Sequence, residues 1–156
     1  MASLNICLDP VGFVRTEAVD KEVRDKDVVS RIIFREELTE ALEGVSEFSH
    51  IFVIFWLHKM SKDDRRLLKV RPRGRSDMPL LGIFATRTPH RPNPIGLTRV
   101  KLLSVDGNVV TVQGLDAFDG TPVLDIKPFD SWDTTEEFIV PDWWMQLEEE
   151  RQTKKE

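Results

Sequence analysis

Two polar islands hold the side chains of this chain that are best placed to do chemistry. The first is Thr86-Arg87-Thr88-Pro89-His90-Arg91-Pro92-Asn93-Pro94-Ile95-Gly96, and the second is Asp119-Gly120-Thr121-Pro122-Val123-Leu124-Asp125-Ile126-Lys127-Pro128. The prolines at 89, 92 and 94 fix φ at about −65° and push each preceding residue toward extended geometry. Such a backbone is stiff before a ligand arrives, so little ordering entropy remains to be lost on binding. Arg87 offers a planar fork of donors to a carboxylate or phosphate, or else an ion pair that pins the loop. Asn93, held between two prolines, has an amide that can read a base edge or cap the loop. Asp119 and Asp125 offer negative charge to ligand hydroxyls or to a centre gaining positive charge. Equally, Asp119 with Gly120 makes a plain turn, and Asp125 can pair with Lys127 or Arg91. His50, His58 and His90 have no metal-ligand spacing and Cys7 is the only cysteine, so neither a metal site nor an internal disulfide is expected.

Short strands must position these islands. Apolar residues recur mostly with period two, and long helical stripes are scarce. Leu4 to Arg15 reads as a strand broken at Asp9-Pro10, with Cys7 a small apolar group in it, and Val28 to Arg35 reads as another. Thr39 to Glu43 suits a short helix ended by Gly44. His50 to Met60 reads as a central strand covered on both faces, and Ser61 as the N-cap of a polar helix through Leu68. Leu80 to Ala85 is a short strand that feeds the first island. Leu97–Val105 and Val109–Leu115 form a hairpin turned at Asp106-Gly107-Asn108, with Thr98, Val100 and Leu102 on one face and Arg99 and Lys101 on the other. Val123 to Lys127 is a further strand, and Trp143, Trp144 and Leu147 mark a C-terminal helix. The pattern predicts a mainly β fold, a barrel or strongly curved sheet with short peripheral helices.

The 156 residues suit one domain, with its core over about residues 8–140. The longest apolar run, Ile51 to Leu57, is far short of the roughly 20 residues that span a bilayer, and no secretory leader opens the chain. The cytoplasm is the expected compartment, with no membrane contact. The net charge of −5 conceals an asymmetry. Between His58 and Lys101 stand twelve Lys or Arg against three Asp, a local +9 that leaves −14 elsewhere. A concentrated basic segment on an acidic protein suits docking of a polyanion, or is a solvated loop balanced by the acidic surface. Arg71, Arg73 and Arg75 alternate around Pro72 and Gly74 on backbone expected to be irregular, and with Arg91 they are the candidate RNA contacts. No GxGxxG or GxxxxGK[ST] element occurs, so a nucleotide-type cofactor would have to be cradled by loops.

Gly82-Ile83-Phe84-Ala85-Thr86-Arg87, the run from His90 to Gly96, and Asp119 to Pro128 resemble the signature blocks of the TrmO family, also called TsaA-like or YaeB-like proteins. Gly12-Phe13-Val14-Arg15-Thr16, Leu42-Glu43-Gly44 and Phe48-Ser49-His50 fit the same pattern, so the resemblance runs from about residue 10 to residue 130. It implies a single-sheet β-barrel and a homodimer with the cofactor near the subunit interface. It also implies an S-adenosylmethionine-dependent methyltransferase acting on the exocyclic amine of a modified adenosine beside the anticodon of a tRNA. By the same resemblance the cofactor pocket comprises His58, Lys59, Arg87, Leu97, Phe118, Asp119, Gly120, Thr121 and Pro122, while Asn93 and Asp119 are the candidates for catalysis. The Pro-Arg-Gln motif that many members carry after the first strand is absent between Glu17 and Asp27, where Arg24 is a candidate replacement. The chain ends soon after Trp144, as in shorter archaeal forms. Two other readings fit the residues: a non-catalytic RNA-binding barrel, and a methyltransferase for a small anionic substrate.

Overall fold

The structure is a computed structural model describing residues 4–153. Six antiparallel strands close into one barrel: β1 (Gly12–Arg15), β2 (Val29–Phe34), β3 (His50–Trp56), β6 (Ile95–Asp106), β7 (Val109–Gln113) and β8 (Pro122–Pro128), in the spatial order β1-β2-β7-β6-β3-β8. A separate two-stranded ribbon, β4 (Lys69–Val70) and β5 (Leu81–Gly82), lies in the long connection from β3 to β6. Helix is confined to short 3-10 turns and one C-terminal helix, α1 (Asp142–Thr153). This is the mainly β barrel that the period-two pattern predicts.

Alternation builds the core. Ile51, Val53 and Phe55 point inward from β3, Val100 and Leu102 from β6, Val110 and Val112 from β7, and Val14, Ile32, Phe34 and Val123 from the remaining strands. Arg99 and Lys101 face outward, as their register on β6 requires. Each end of the barrel is stoppered by loop residues of the same cluster. Leu42, with Val45 packed beside it, fills the end where β2 runs into β3. Leu115 and Ala117 fill the end where β7 runs into β8. The β6–β7 hairpin at the first end turns on Gly107 (φ 55°) and Asn108, whose amide donates to the Phe34 carbonyl at 2.7 Å.

Several expected elements are shorter or different. Leu4, Ile6, Cys7 and Leu8 are exposed and form no strand, because no neighbouring strand takes up their backbone groups. The Thr39–Glu43 helix is a 3-10 run over Glu36–Leu42, although Gly44 does take positive φ (84°). β3 stops at Trp56, and its outer face, His50, Phe52, Ile54 and Trp56, is only half-buried since no layer covers it. Ser61 caps as expected: its hydroxyl accepts from the Asp64 amide at 3.1 Å while the Asp64 carboxylate accepts from the Ser61 amide at 3.0 Å. The helix beyond it is only one 3-10 turn, Asp64–Arg66, because this segment has no apolar stripe to bury. The strand expected over Leu80–Ala85 is the two-residue β5 followed by a 3-10 turn, so Arg87 follows that turn and not a strand.

Candidate functional site

Antiparallel geometry gathers the ends of β1 and β3 and the starts of β6 and β8 at one end of the barrel, the mouth. Phe55 pairs with Gly96 on one side and Val123 on the other, so the chain leaving β3 runs between both polar islands. Gly96 is required there: a Cβ would lie 2.4 Å from the Phe55 ring. The Leu57 amide donates to the Pro94 carbonyl at 2.7 Å, placing the proline loop one residue before His58.

The second island is laddered to β1. The Gly120 amide donates to Val14 at 2.8 Å and the Val14 amide to Thr121 at 2.9 Å, while Gly120 turns with φ 76°. Asp119 continues that ladder with its side chain, accepting from the Thr16 amide at 3.1 Å and pairing with Arg15 at 3.5 Å. The hydroxyl of Thr121, buried to 2% exposure, lies 3.4 Å from His58 Nδ1. The Lys59 ammonium sits 3.7 Å from the centre of the Phe118 ring. Partial burial, reinforced by the positive charge of Lys59, holds the His58 pKa below its usual 6.5. His58 is therefore neutral at pH 7, with its ring nitrogens divided between one donor and one acceptor. Thr98 on β6 donates to Asp116 at 2.5 Å, tying the first stretch of the island to the wall.

His58, Lys59, Phe118, Asp119, Gly120, Thr121 and Pro122 thus stand together. Asn93 is exposed on the proline loop beside them, and its carbonyl accepts from the Ile95 amide at 2.7 Å. Arg87 is exposed and makes no ion pair among the described residues. Leu97 lies apart from the pocket interior: it is on the outer wall opposite Ile54, 53% exposed. Asp125 pairs with Lys127 at 3.0 Å, not with Arg91.

The basic segment is organised differently from a free cationic surface. Arg91 reaches back to the carbonyls of Thr86 (2.9 Å), Thr88 (3.3 Å) and Ile83 (3.4 Å), so it, and not Arg87, pins the loop. Arg71 donates to the Met78 carbonyl. Arg75 bridges Asp77 and Glu150 of α1, and its guanidinium holds both carboxyls below their usual range. Only Arg73, at positive φ (54°), projects without a partner among these four. Arg65 donates to the Pro92 carbonyl at 2.9 Å, and Asp64 lies 3.4 Å from His90 Nδ1. Hydrogen bonds from Ser61 hold the Asp64 carboxyl below its usual range. These contacts and the Arg15–Asp119 pair are the ones that sequence reasoning missed. The Ser61–Asp64 spacing is a readable cap, but nothing local links residues 27 or 103 positions apart.

A cleft of about 800 Å³ opens beside the mouth, bounded by Arg15, Thr16, Glu22, Asp25, Arg31 and Asp119. Arg24 is not part of its lining. A separate apolar cleft of about 480 Å³ lies between Phe138–Val140 and α1 and shares no residue with the mouth. No helix among the described residues is long and apolar enough to cross a membrane.

Comparison with known proteins agrees with this geometry. The tRNA-methyltransferase O N-terminal domain matches residues 16–133. The chain is 42% identical over 134 residues to a probable S-adenosyl-L-methionine-binding protein of Methanothermobacter thermautotrophicus, covering 83% of this chain and 93% of that one. It is 48% identical over 89 residues to the mouse tRNA (adenine(37)-N6)-methyltransferase, covering 57% of this chain and 20% of that protein. Among solved structures, TrmO of Pseudomonas aeruginosa superposes with a TM-score of 0.71 at 27% identity, over 90% of this chain. This chain spans 62% of that bacterial protein. With matched residues that include both islands and the turn after β3, the chain belongs to the TrmO family of methyltransferases.

Proposed function

We propose that this protein transfers a methyl group from S-adenosylmethionine to the exocyclic amine of an adenosine next to the anticodon of a tRNA. The observation that carries this reading is the convergence of His58, Lys59 and the Phe118–Thr121 turn at the barrel mouth, beside a proline loop already fixed by Arg91. The residues present suit the cofactor. Neutral His58 adds no positive charge against a cationic ligand, and Asp119 offers a carboxylate to hydroxyl groups. Arg87 is unpaired among the described residues and placed to hold a carboxylate. S-adenosylmethionine supplies an activated methyl group when bound.

The remaining work belongs to the chain's own groups. Methyl transfer requires donor and acceptor atoms about 3 Å apart in a site that excludes water, so rigid loops matter more than strong bases. Asn93 holds the adenine edge with its amide. Asp119, or a backbone carbonyl at the mouth, accepts a hydrogen bond from the amine as it gains positive charge. A stacked amine is poorly accessible, so the adenosine enters from an unpaired loop. The reading includes a homodimer in the cytoplasm, in which a second copy covers the exposed Ile95 and Leu97 on the outer wall beside Ile54 and Trp56.

The test is methyl transfer itself. Purified protein, methyl-labelled S-adenosylmethionine and unmodified or partly modified tRNA should give label on adenosine N6, with calorimetric binding of the cofactor. Arg87→Ala should weaken cofactor binding with little change in melting temperature. Cofactor binding without labelled tRNA would move the reading to a small-molecule methyltransferase, and RNA binding without cofactor affinity would move it to a non-catalytic barrel.

A further inference from the structure

Arg71, Arg75 and Arg91 are occupied in holding the β3–β6 connection together. The three acids of the basic segment are occupied as well: Asp63 pairs with Arg66, Asp64 with Ser61 and His90, and Asp77 with Arg75. What faces solvent without a carboxylate partner among the described residues is Lys69, Arg73 and Arg87. Between them the β4–β5 ribbon exposes large apolar groups. Leu68, whose carbonyl accepts from the Ile83 amide at 3.1 Å, is 75% exposed, and Phe84 is 77% exposed.

Phe84 is not a loose side chain. It lies in the 3-10 turn Ile83–Ala85, closed by the Thr86 amide on the Ile83 carbonyl at 3.1 Å and by the Thr86 hydroxyl on the same oxygen at 2.9 Å. The Arg91 guanidinium lies 5.6 Å from its ring centre, and the same arginine holds the turn's carbonyls. An aromatic plate backed by a cation and set on a preordered turn is suited to stacking on a nucleobase, which needs a π-face and little else. Unpaired cations on either side suit the flanking phosphates. A second protein chain would bury the leucines but would leave Lys69 and Arg73 desolvated without partners, an unfavourable exchange.

Resting on the tRNA reading above, we propose that the β4–β5 ribbon is the RNA-docking platform, with Phe84 stacking on an unpaired base of the loop and Lys69 and Arg73 neutralising adjacent phosphates. The contacts with RNA thus shift away from the arginines that alternate in sequence and onto the side chains that the fold leaves free.

The experiment is fluorescence anisotropy with a labelled RNA hairpin carrying an unpaired adenosine in its loop, and with a fully paired duplex of the same stem. Phe84→Leu should weaken hairpin binding about tenfold, within the range of one lost base stack, and leave duplex binding unchanged. Lys69→Gln with Arg73→Gln should weaken both ligands and lower the salt slope by about two. Calorimetric affinity for S-adenosylmethionine should not change in either variant. The proposal is overturned if Phe84→Leu binds the hairpin as the unaltered protein does, or if the unaltered protein binds neither RNA. It is also overturned if Phe84→Leu converts a dimer to a monomer in sedimentation with RNA affinity intact, which assigns the ribbon to a second copy. Hairpin that binds through Phe84 but takes up no methyl label would instead count against the catalytic reading alone.

Discussion

The two ends of the barrel use one device for opposite purposes. At the β2–β3 end, Leu42 stoppers the core and the surrounding 3-10 run presents Glu36, Glu37 and Glu40 to water. At the mouth, Leu115 and Ala117 do the same job, yet their continuation presents Phe118, Asp119, Gly120 and Thr121 to His58 and Lys59. Both stoppers contribute apolar burial to stability. They differ in how the outer layer is held. The first is a solvated acidic surface with one exposed pair, Arg35–Glu37. The second is cross-braced by Asp119 to Thr16 and by Thr98 to Asp116, contacts spanning 103 and 18 residues. A folded barrel needs only the stopper; the bracing serves what binds outside it.

This comparison breaks if the two layers are not separable. Removing core volume should cost most: Ile32→Ala, at a position with no solvent exposure, should lose about 2–5 kcal/mol in urea unfolding. Arg87→Ala at the mouth should stay within about 0.5 kcal/mol of the parent. Equal losses would mean that the mouth is part of the core. At the tight end, Asn108→Ala deletes the bond to the Phe34 carbonyl and should lose about 1 kcal/mol without altering cofactor affinity. A fall in affinity would show that the ends are coupled through β2 and β7.

The smallest effect is electrostatic and sharpens the contrast. The folded-state pKa of His58 is lowered below 6.5, so the unfolded chain binds its proton more tightly. That group's contribution is fully present above about pH 6.5 and is lost as pH falls through the folded pKa. Protonated His58 would also repel a cationic ligand. Affinity for S-adenosylmethionine should therefore decline from about pH 8 to about pH 5.5. His58→Gln should flatten the decline, and a profile that keeps its slope would assign the titration elsewhere. Asp64 and Glu150, whose pKa values are depressed, act in the other range: their contributions hold above the usual carboxylate values and fade only in stronger acid.

How much of this was legible depended on range. Period-two alternation identified β2, β3, β6, β7 and β8, because burial on one face of a strand repeats every second residue. It failed where the same alternation lacked a neighbour, as at Leu4, Ile6 and Leu8, which are exposed outside any strand. The membership of the mouth was visible through family motifs. The assignment of individual arginines was not. Arg87 and Arg91 are chemically identical and four residues apart, yet one is free and the other holds three carbonyls. That difference is decided by where the loop folds back, which no local pattern encodes. Arg75 likewise depends on Glu150, 75 positions away on α1.

The Arg91 hub has a kinetic consequence. One guanidinium replaces the regular hydrogen-bond ladder that a strand or helix would give to residues 83–88, and the loop is therefore ordered before any encounter. Association with a ligand at the mouth then has no slow ordering step in series with diffusion. Observed rates should rise linearly with ligand concentration, with no plateau set by loop closure. Discrimination among ligands is thereby left to how quickly each one escapes.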